Sequence, residues 1–338
     1  MTHVLVTRLD SEGDVLLAGP AIRAIAAGAA RVTLLCGPRG EGAARLLPGV
    51  DEVVVWRAPW IDPEPDPVDP ARVDALVGQI RALRPDRAVI LGSFHQSPLP
   101  TALLLRLAGV ADVAAECEDY PGSLLDVRHQ APPGLHEVER SLDLVAALGY
   151  RLPDGDDGRL RVRRHFVLPP FDHRYVVVHP GASVPARAWA PERNAELVDA
   201  LVETGWCVVV TGSTGERPLT ARVAGSHRPA VRDLGGATTL AGLAEVLAGA
   251  EAVVVGNTGP AHLAAAVGTP VVSLFAPTVP AERWRPWRVP HVLLHRDLPC
   301  AGCRARVCPI EGHPCVDTLG PGDVLEALDQ VCATAVVA

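Results

Sequence analysis

Short β-branched runs alternate with alanine- and leucine-rich stretches along the whole chain, and this alternation constrains the fold more than any other feature. A strand that is apolar at every position cannot leave one face in water. It belongs in a parallel sheet covered on both sides by helices. Strands are expected at 3–8, 31–36, 51–56, 87–91 and 111–115, with helices at 20–29, 73–83, 99–108 and 137–148. Residues 59–70 hold five prolines and four acidic residues and must form a loop. The alternation restarts with strands at 175–179, 207–211, 252–255 and 271–275, and helices at 194–203, 218–224, 240–250, 260–267 and 321–332. Between the halves, 151–172 turns polar, with Asp-Gly-Asp-Asp-Gly at 154–158, and reads as an inter-domain linker. A length of 338 residues suits two such domains.

Composition removes several function classes. The net charge is −8, and the one dense basic run, Arg159, Arg161, Arg163 and Arg164, follows directly on acidic residues and reads as a solvated linker. A nucleic-acid partner needs a concentrated positive face, so none is expected. All 31 basic residues are Arg, which reflects coding bias rather than chemistry. The chain opens straight into a strand without a signal peptide, and no apolar run reaches the ~18–20 residues of a membrane span. A cytoplasmic location is expected.

Ligands of doubly wound sheets bind at the carboxyl ends of strands, so the loops after the strands are the places to look. The first loop is Thr7-Arg8-Leu9-Asp10-Ser11-Glu12-Gly13-Asp14. Asp14 lies near a helix start, where a carboxylate is favoured, and can serve either as a cap or as a base. The second, His179-Pro180-Gly181-Ala182-Ser183 with Arg187 and Trp189, combines amides, a hydroxyl and a cation, a set that can hold a phosphate or make an ordinary surface loop. The third, Gly256-Asn257-Thr258-Gly259-Pro260-Ala261-His262, ends a buried strand and opens a helix with proline in its first turn. Such a helix start offers free amides to an anion, and His262 is either a packed residue or a ligand contact. Glu216, after Thr211-Gly212-Ser213-Thr214-Gly215, can accept from ribose hydroxyls or simply start a helix. The glycine fingerprints of dinucleotide-binding and P-loop proteins are absent.

Four of the eight cysteines cluster as Cys300-x2-Cys303-x4-Cys308-x6-Cys315, with His313 nearby. The first pair has metal-ligand spacing, but the rest does not follow the paired zinc pattern. Structural zinc, a redox-labile pair and free thiols stay open; no metal is the favoured reading.

In order and spacing these segments resemble glycosyltransferase family 9, the ADP-heptose:lipopolysaccharide heptosyltransferases of bacteria. The resemblance is carried by Val6-Thr7-Arg8-Leu9-x-Ser11-x-Gly13-Asp14-Val15 with Gly19-Pro20-Ala21-Ile22-Arg23-Ala24. It continues in His136-x-x-Glu139-Arg140, His179-Pro180-Gly181-Ala182 with Arg187-x-Trp189, Thr258-Gly259-Pro260-x-His262-Leu263, and Cys308-Pro309 with His313. It implies an α/β chain of GT-B fold: two Rossmann-like, doubly wound parallel-sheet domains facing each other across a cleft. The acceptor side would be 1–160, the nucleotide-sugar donor side 173–320, and 321–338 a closing helix. It further implies inverting, metal-independent transfer of a sugar, in this family a heptose, from an ADP-sugar co-substrate with no further cofactor. The acceptor would be a glycan, a lipid-linked sugar or a small molecule, with peripheral membrane contact if it is a lipid.

By the same resemblance Asp14 is the general base. Ser183, Arg187, Thr258 and Gly259 would stabilise the leaving diphosphate, with His262 beside them, and Asn257 would face the sugar hydroxyls. Glu216 would take the ribose, and Thr238 to Leu240 would line the base pocket. Two positions depart from the family's usual residues: Arg187 stands where lysine is common, and Asn257 where aspartate is common. A nucleotide-sugar epimerase or hydrolase of the same fold, and a non-catalytic nucleotide-sugar binding protein, are the alternatives.

Overall fold

The computed structural model describes residues 2–93, 95–164, 170–225 and 229–335. The chain divides into two compact units, Met1–Arg163 and Arg164–Ala338. In the first, β1 (His3–Arg8) pairs in parallel with β2 (Arg31–Cys36) on one side and β4 (Arg87–Ile90) on the other. With β3 (Glu52–Val55), β5 (Asp112–Glu116) and β6 (Val127–His129), the sheet order is β3-β2-β1-β4-β5-β6. The described helices are α1 (Glu12–Leu17), α2 (Gly19–Gly28), α3 (Glu41–Leu46), α4 (Pro70–Leu83), α5 (Leu99–Leu107) and α6 (Glu137–Ala147).

Local chemistry fixes the helix ends. Asp69 caps α4 by accepting from the Ala71 amide at 2.9 Å, with Pro70 in the first turn. Helix α6 opens with a capping box between His136 and Glu139. Pro70 therefore belongs to α4, and the proline-rich loop is shorter by that residue than the sequence implied.

The second unit repeats the plan. Strands β7 (Tyr175–His179), β8 (Cys207–Val210), β9 (Val231–Asp233), β10 (Ala252–Gly256), β11 (Val271–Leu274) and β12 (His291–Leu294) are ordered β12-β11-β10-β7-β8-β9, all parallel. Counted along each unit this is the same order as in the first. The helices are α7 (Pro191–Glu203), α8 (Arg217–Ala224), α9 (Leu240–Ala248), α10 (Gly259–Val267), α11 (Ala281–Trp284) and α12 (Pro321–Ala335). Val324, Leu328 and Val331 of α12 are buried in one core with Val176, Val254 and Val272, so the last helix is an integral layer of this unit.

Strands β6, β9 and β12 were not foreseen. All three lie at sheet edges, have three or four residues, and are half-buried or exposed; β6 and β9 carry no apolar run, and that of β12, Val292-Leu293-Leu294, is only three residues long. Helices α1, α3 and α11, of four to six residues, are too short to show a helical period.

The arginines of the basic run are exposed, as a solvated segment requires, but the segment that carries them is docked rather than free. Arg23 Nε meets Asp156 Oδ2 at 2.6 Å and Arg23 Nη2 donates to the Arg159 carbonyl at 2.8 Å. Leu160 and Val162 are buried, and Arg163 donates from its amide to Leu46 O at 2.7 Å. Residues 156–163 are docked on the first unit because an apolar residue at every second position alternates with arginines that find carbonyl and carboxylate partners.

Candidate active site

Both units have their topological switch point between the first and fourth strand, where ligands of doubly wound sheets bind. In the second unit that point lies between the carboxyl ends of β7 and β10.

Strand β7 is buried throughout and ends at His179. His179 Nδ1 lies 2.9 Å from Thr211 Oγ1 after β8, and burial pulls its pKa down to about 4, so the ring is neutral and braces two neighbouring loops. Next comes Gly181, where a Cβ would collide with the Glu216 carboxylate. Only glycine lets that carboxylate sit on the backbone. Glu216 Oε2 accepts from the Ser213 amide and hydroxyl, each at 2.7 Å, closing a capping box on its own turn. Gly236 N donates to Gly212 O at 2.8 Å, which ties the loop after β9 to the loop after β8. Half-buried Thr238 and Leu240 lie in that loop and at the start of α9, capped by Thr239.

The loop after β7 then crosses to β10. Arg187 ends the short 3-10 turn Pro185–Arg187, and a Cβ at Gly256 would stand 2.8 Å from the Arg187 carbonyl oxygen. Arg187 is thus packed against the last residue of β10, at the switch point. Its Nε donates to Thr278 Oγ1 at 3.3 Å. Asn257 follows, 6% exposed, with both amide atoms buried and lacking a hydrogen-bond partner. Such a group costs about 1–3 kcal/mol unless a ligand completes it. Thr258 stands at the N-cap of α10 in extended conformation without a side-chain cap bond, so the first-turn amides of Gly259 onward are not capped by its hydroxyl. His262 is buried on α10 and Ser183 is exposed. Ser183, Arg187, Glu216, Thr238, Leu240, Asn257, Thr258, Gly259 and His262 thus all stand on the carboxyl-edge loops or on the helix starts that these loops feed.

The first unit's switch point holds a different chemistry. Arg8, the last residue of β1, is 1% exposed and lies among carboxylates: Nε is 3.0 Å from Asp10 Oδ2, and Nη2 is 3.2 Å from Asp14 Oδ1 and 3.9 Å from Glu137 Oε2. Its Nη2 also donates to Ser93 Oγ, just after β4, at 3.0 Å. Asp14 is the third residue of α1 rather than its cap: Ser11 holds the N-cap position and donates its hydroxyl to Asp14 Oδ2 at 2.8 Å. The Asp14 side chain keeps 20% exposure, enough to meet a ligand. Burial pushes the Asp10 carboxyl up to about 6, against the pull of Arg8. Arg140 bridges Glu116 and Glu137, each at 2.5 Å.

A cavity of about 270 Å³ opens here, walled by Thr7, Ser93, Gln96, Glu116, Asp119 and Arg140 among others. Ser93 and Gln96, both bonded to Asp10, were missed by sequence reading. They follow β4, and only the strand order reveals that β4 adjoins β1.

All cysteines are free thiols, including Cys300, Cys303, Cys308 and Cys315. Among the described residues no group of three or more His, Cys, Asp or Glu side chains is arranged to hold a metal ion. Nor is any described helix long and apolar enough to cross a membrane.

The family model of glycosyltransferase family 9 (heptosyltransferase) matches residues 98–313. Lipopolysaccharide heptosyltransferase 1 of Pseudomonas aeruginosa is 37% identical over 223 residues, 63% of this chain and 61% of that protein. Lipopolysaccharide heptosyltransferase 3 of Escherichia coli is 31% identical over 47% of this chain and 49% of its own length. The chain thus spans between about half and three-fifths of these curated relatives. In structure it resembles a family 9 glycosyltransferase from Veillonella parvula (TM-score 0.81, 16% identity, 98% of each chain). It also resembles an E. coli heptosyltransferase crystallised with ADP-2-deoxy-2-fluoro heptose (TM-score 0.73, 24% identity, 97% of this chain and 99% of that one). These likenesses assign the GT-B fold.

Proposed function

Starting from the fact that this chain belongs to glycosyltransferase family 9, we propose that it is an inverting, metal-independent glycosyltransferase that moves a sugar, a heptose, from an ADP-sugar to a hydroxyl acceptor. The observation that carries this reading is the position of the family's loops. The Arg187 loop and the start of α10 converge on one switch point, and Asp14 and Arg8 lie at the other.

Asp14 takes the proton as the acceptor oxygen attacks the anomeric carbon; the new C–O bond forms while the bond to the β-phosphate oxygen breaks, and ADP leaves with that electron pair. The Arg8 guanidinium, 3.2 Å from Asp14 Oδ1, fixes the orientation of that carboxylate. Arg187, Ser183 and the first amides of α10 take the charge that grows on the diphosphate. Asn257 completes its amide bonds on the sugar hydroxyls, Glu216 takes the ribose, and Thr238 and Leu240 line the base.

The acceptor reading follows from the first unit's cavity. Glu116, Glu118 and Asp119 line it, and Arg140, the only arginine in its wall among the described residues, is already paired with two carboxylates. This favours the uncharged hydroxyl face of a glycan over a dense anionic group, which would leave carboxylates facing like charge.

Calorimetry with ADP, UDP and GDP in the presence of a chelator, with and without Arg187→Ala, tests the donor assignment. Selective ADP binding that weakens in the variant upholds it, whereas equal binding of all three, or none, reduces the likeness to fold alone. Release of free sugar or an epimer without any acceptor would instead mark a hydrolase or epimerase.

A further inference from the structure

The segment between β12 and α12 carries His313 and the four clustered cysteines, none of which the transfer chemistry uses. Its contacts converge on the Arg187 turn. The Ala186 amide donates to the Arg306 carbonyl at 3.0 Å. On the other face of the same peptide stretch, His313 Nε2 lies 3.1 Å from the Ala186 carbonyl oxygen, so Nε2 must carry the proton, since a carbonyl only accepts. The other ring nitrogen lies 3.5 Å from Asp317 Oδ2, an ion pair when the ring carries both protons, and Asp317 Oδ1 accepts from the Ala190 amide at 2.9 Å. His313 and Asp317 thereby hold both ends of residues 186–190, with Arg187 between them.

The same segment also holds the residue on which the guanidinium rests. Thr278 takes the Arg187 Nε bond with its hydroxyl, while its carbonyl accepts from the Arg304 amide at 3.0 Å and that of Pro277 from Gly302 at 2.7 Å. His313 itself sits at φ 41°, in the left-handed region that few non-glycine residues adopt. Cys315, buried in the core with its thiol pushed up to about 11 by that burial, anchors the segment from below as a protonated packing residue.

We propose that His313, supported by Asp317, is a positioning residue for the donor site: through the Ala186 carbonyl it fixes Arg187 at the switch point where the nucleotide diphosphate is held. This inference rests on the reading of the donor site given above.

A double-mutant cycle read by ADP calorimetry tests it. His313→Ala is expected to weaken ADP about tenfold, a coupling of ordinary size for neighbours in one network. His313→Gln, which restores an N–H donor, is expected to recover part of that loss. In the Arg187→Ala background His313→Ala should change ADP affinity less than about twofold, because the group it positions is gone. Asp317→Ala provides a second variant with the same expected coupling should His313→Ala fold poorly. Equal losses in both backgrounds would mean general damage to the unit and overturn the proposal, as would unchanged ADP affinity in His313→Ala. If the parent protein binds no ADP, the donor-site reading falls and this inference with it. If the parent binds ADP and Arg187→Ala weakens it while the His313 and Asp317 variants do not, only the inference falls.

Discussion

At the scale of single residues, the first unit's switch point is a cluster of opposed charges that must be kept in a defined protonation state. Arg8 is buried beside Asp10, Asp14 and Glu137, the last of which it shares with Arg140, and burial penalises any charge here that is not fully paired. The strain shows at Asp10, whose carboxyl rises to about 6, while Asp14 retains a solvent-facing edge. Replacing Asp14 with Asn should abolish proton transfer, lowering turnover on the order of 10²–10⁴-fold while leaving ADP affinity unchanged. Unchanged turnover in that variant would remove Asp14 as the base.

Asp10 gives a pH signature of definite sign. Its folded pKa lies above the ordinary 3.8, so the folded state binds the proton more tightly than the unfolded one. The resulting stability is fully present below about pH 4 and is lost as pH rises through 6. The stability of the parent relative to Asp10→Asn should therefore fall between those values, as denaturant titrations at several pH values would measure. A flat difference across that window would show that Asp10 titrates normally. His179 has the opposite sign in the second unit. Burial pulls it down to about 4, so its contribution is present above the ordinary 6.5 and is lost as pH falls towards 4.

At the scale of elements, the proposed donor side is built by close approach between loops, which glycine alone permits. Gly256 ends β10 against the Arg187 carbonyl, so a methyl group there must push the Arg187 turn away. Gly256→Ala is expected to cost about 1–3 kcal/mol of stability through overpacking and to weaken ADP binding in proportion to the displacement of Arg187. Wild-type ADP affinity in Gly256→Ala would show that the contact does not set the position of Arg187.

The central strands and long helices were legible because each carries its own signal. Strand β7 is a continuous apolar run, and α7 and α9 are bounded by a first-turn proline and a threonine cap. The edge strands β6, β9 and β12 were not legible, because a strand with one neighbour and a half-wet face needs no apolar run; its pairing, not its composition, makes it a strand.

At the scale of the whole molecule, each unit closes its core with a segment distant in sequence. In the first unit it is 156–163. Arg23 and Asp156, both nearly excluded from solvent, form a bidentate pair that holds this segment, and the Arg23 side chain draws the Asp156 carboxyl down to about 2. Arg23→Ala leaves that carboxylate buried without its cation and should cost about 3 kcal/mol. This contribution is present above about pH 4 and is lost as pH falls through 2, so the deficit measured by denaturant unfolding should shrink in acid. In the second unit the closing segment is α12. Leu328→Ala should cost about 2–5 kcal/mol, read as faster hydrogen exchange at the amides of β10 and β11, on which the helix packs. A smaller loss would mean that α12 is only loosely held.

What the sequence by itself determined was the class of fold and the contiguous loops from which the proposed site is drawn. Buried parallel strands and capped helices are local patterns, and the Asp14, Arg187 and Thr258–Gly259 loops are contiguous segments. What only the tertiary structure decided was which loops meet. That Ser93 and Gln96 after β4 meet Asp10 after β1, that Gly256 packs on Arg187, and that His313 grips Ala186 from more than a hundred residues away are consequences of strand order. Strand order is set by the burial of whole sheets and by crossover connections, which no single stretch of sequence encodes.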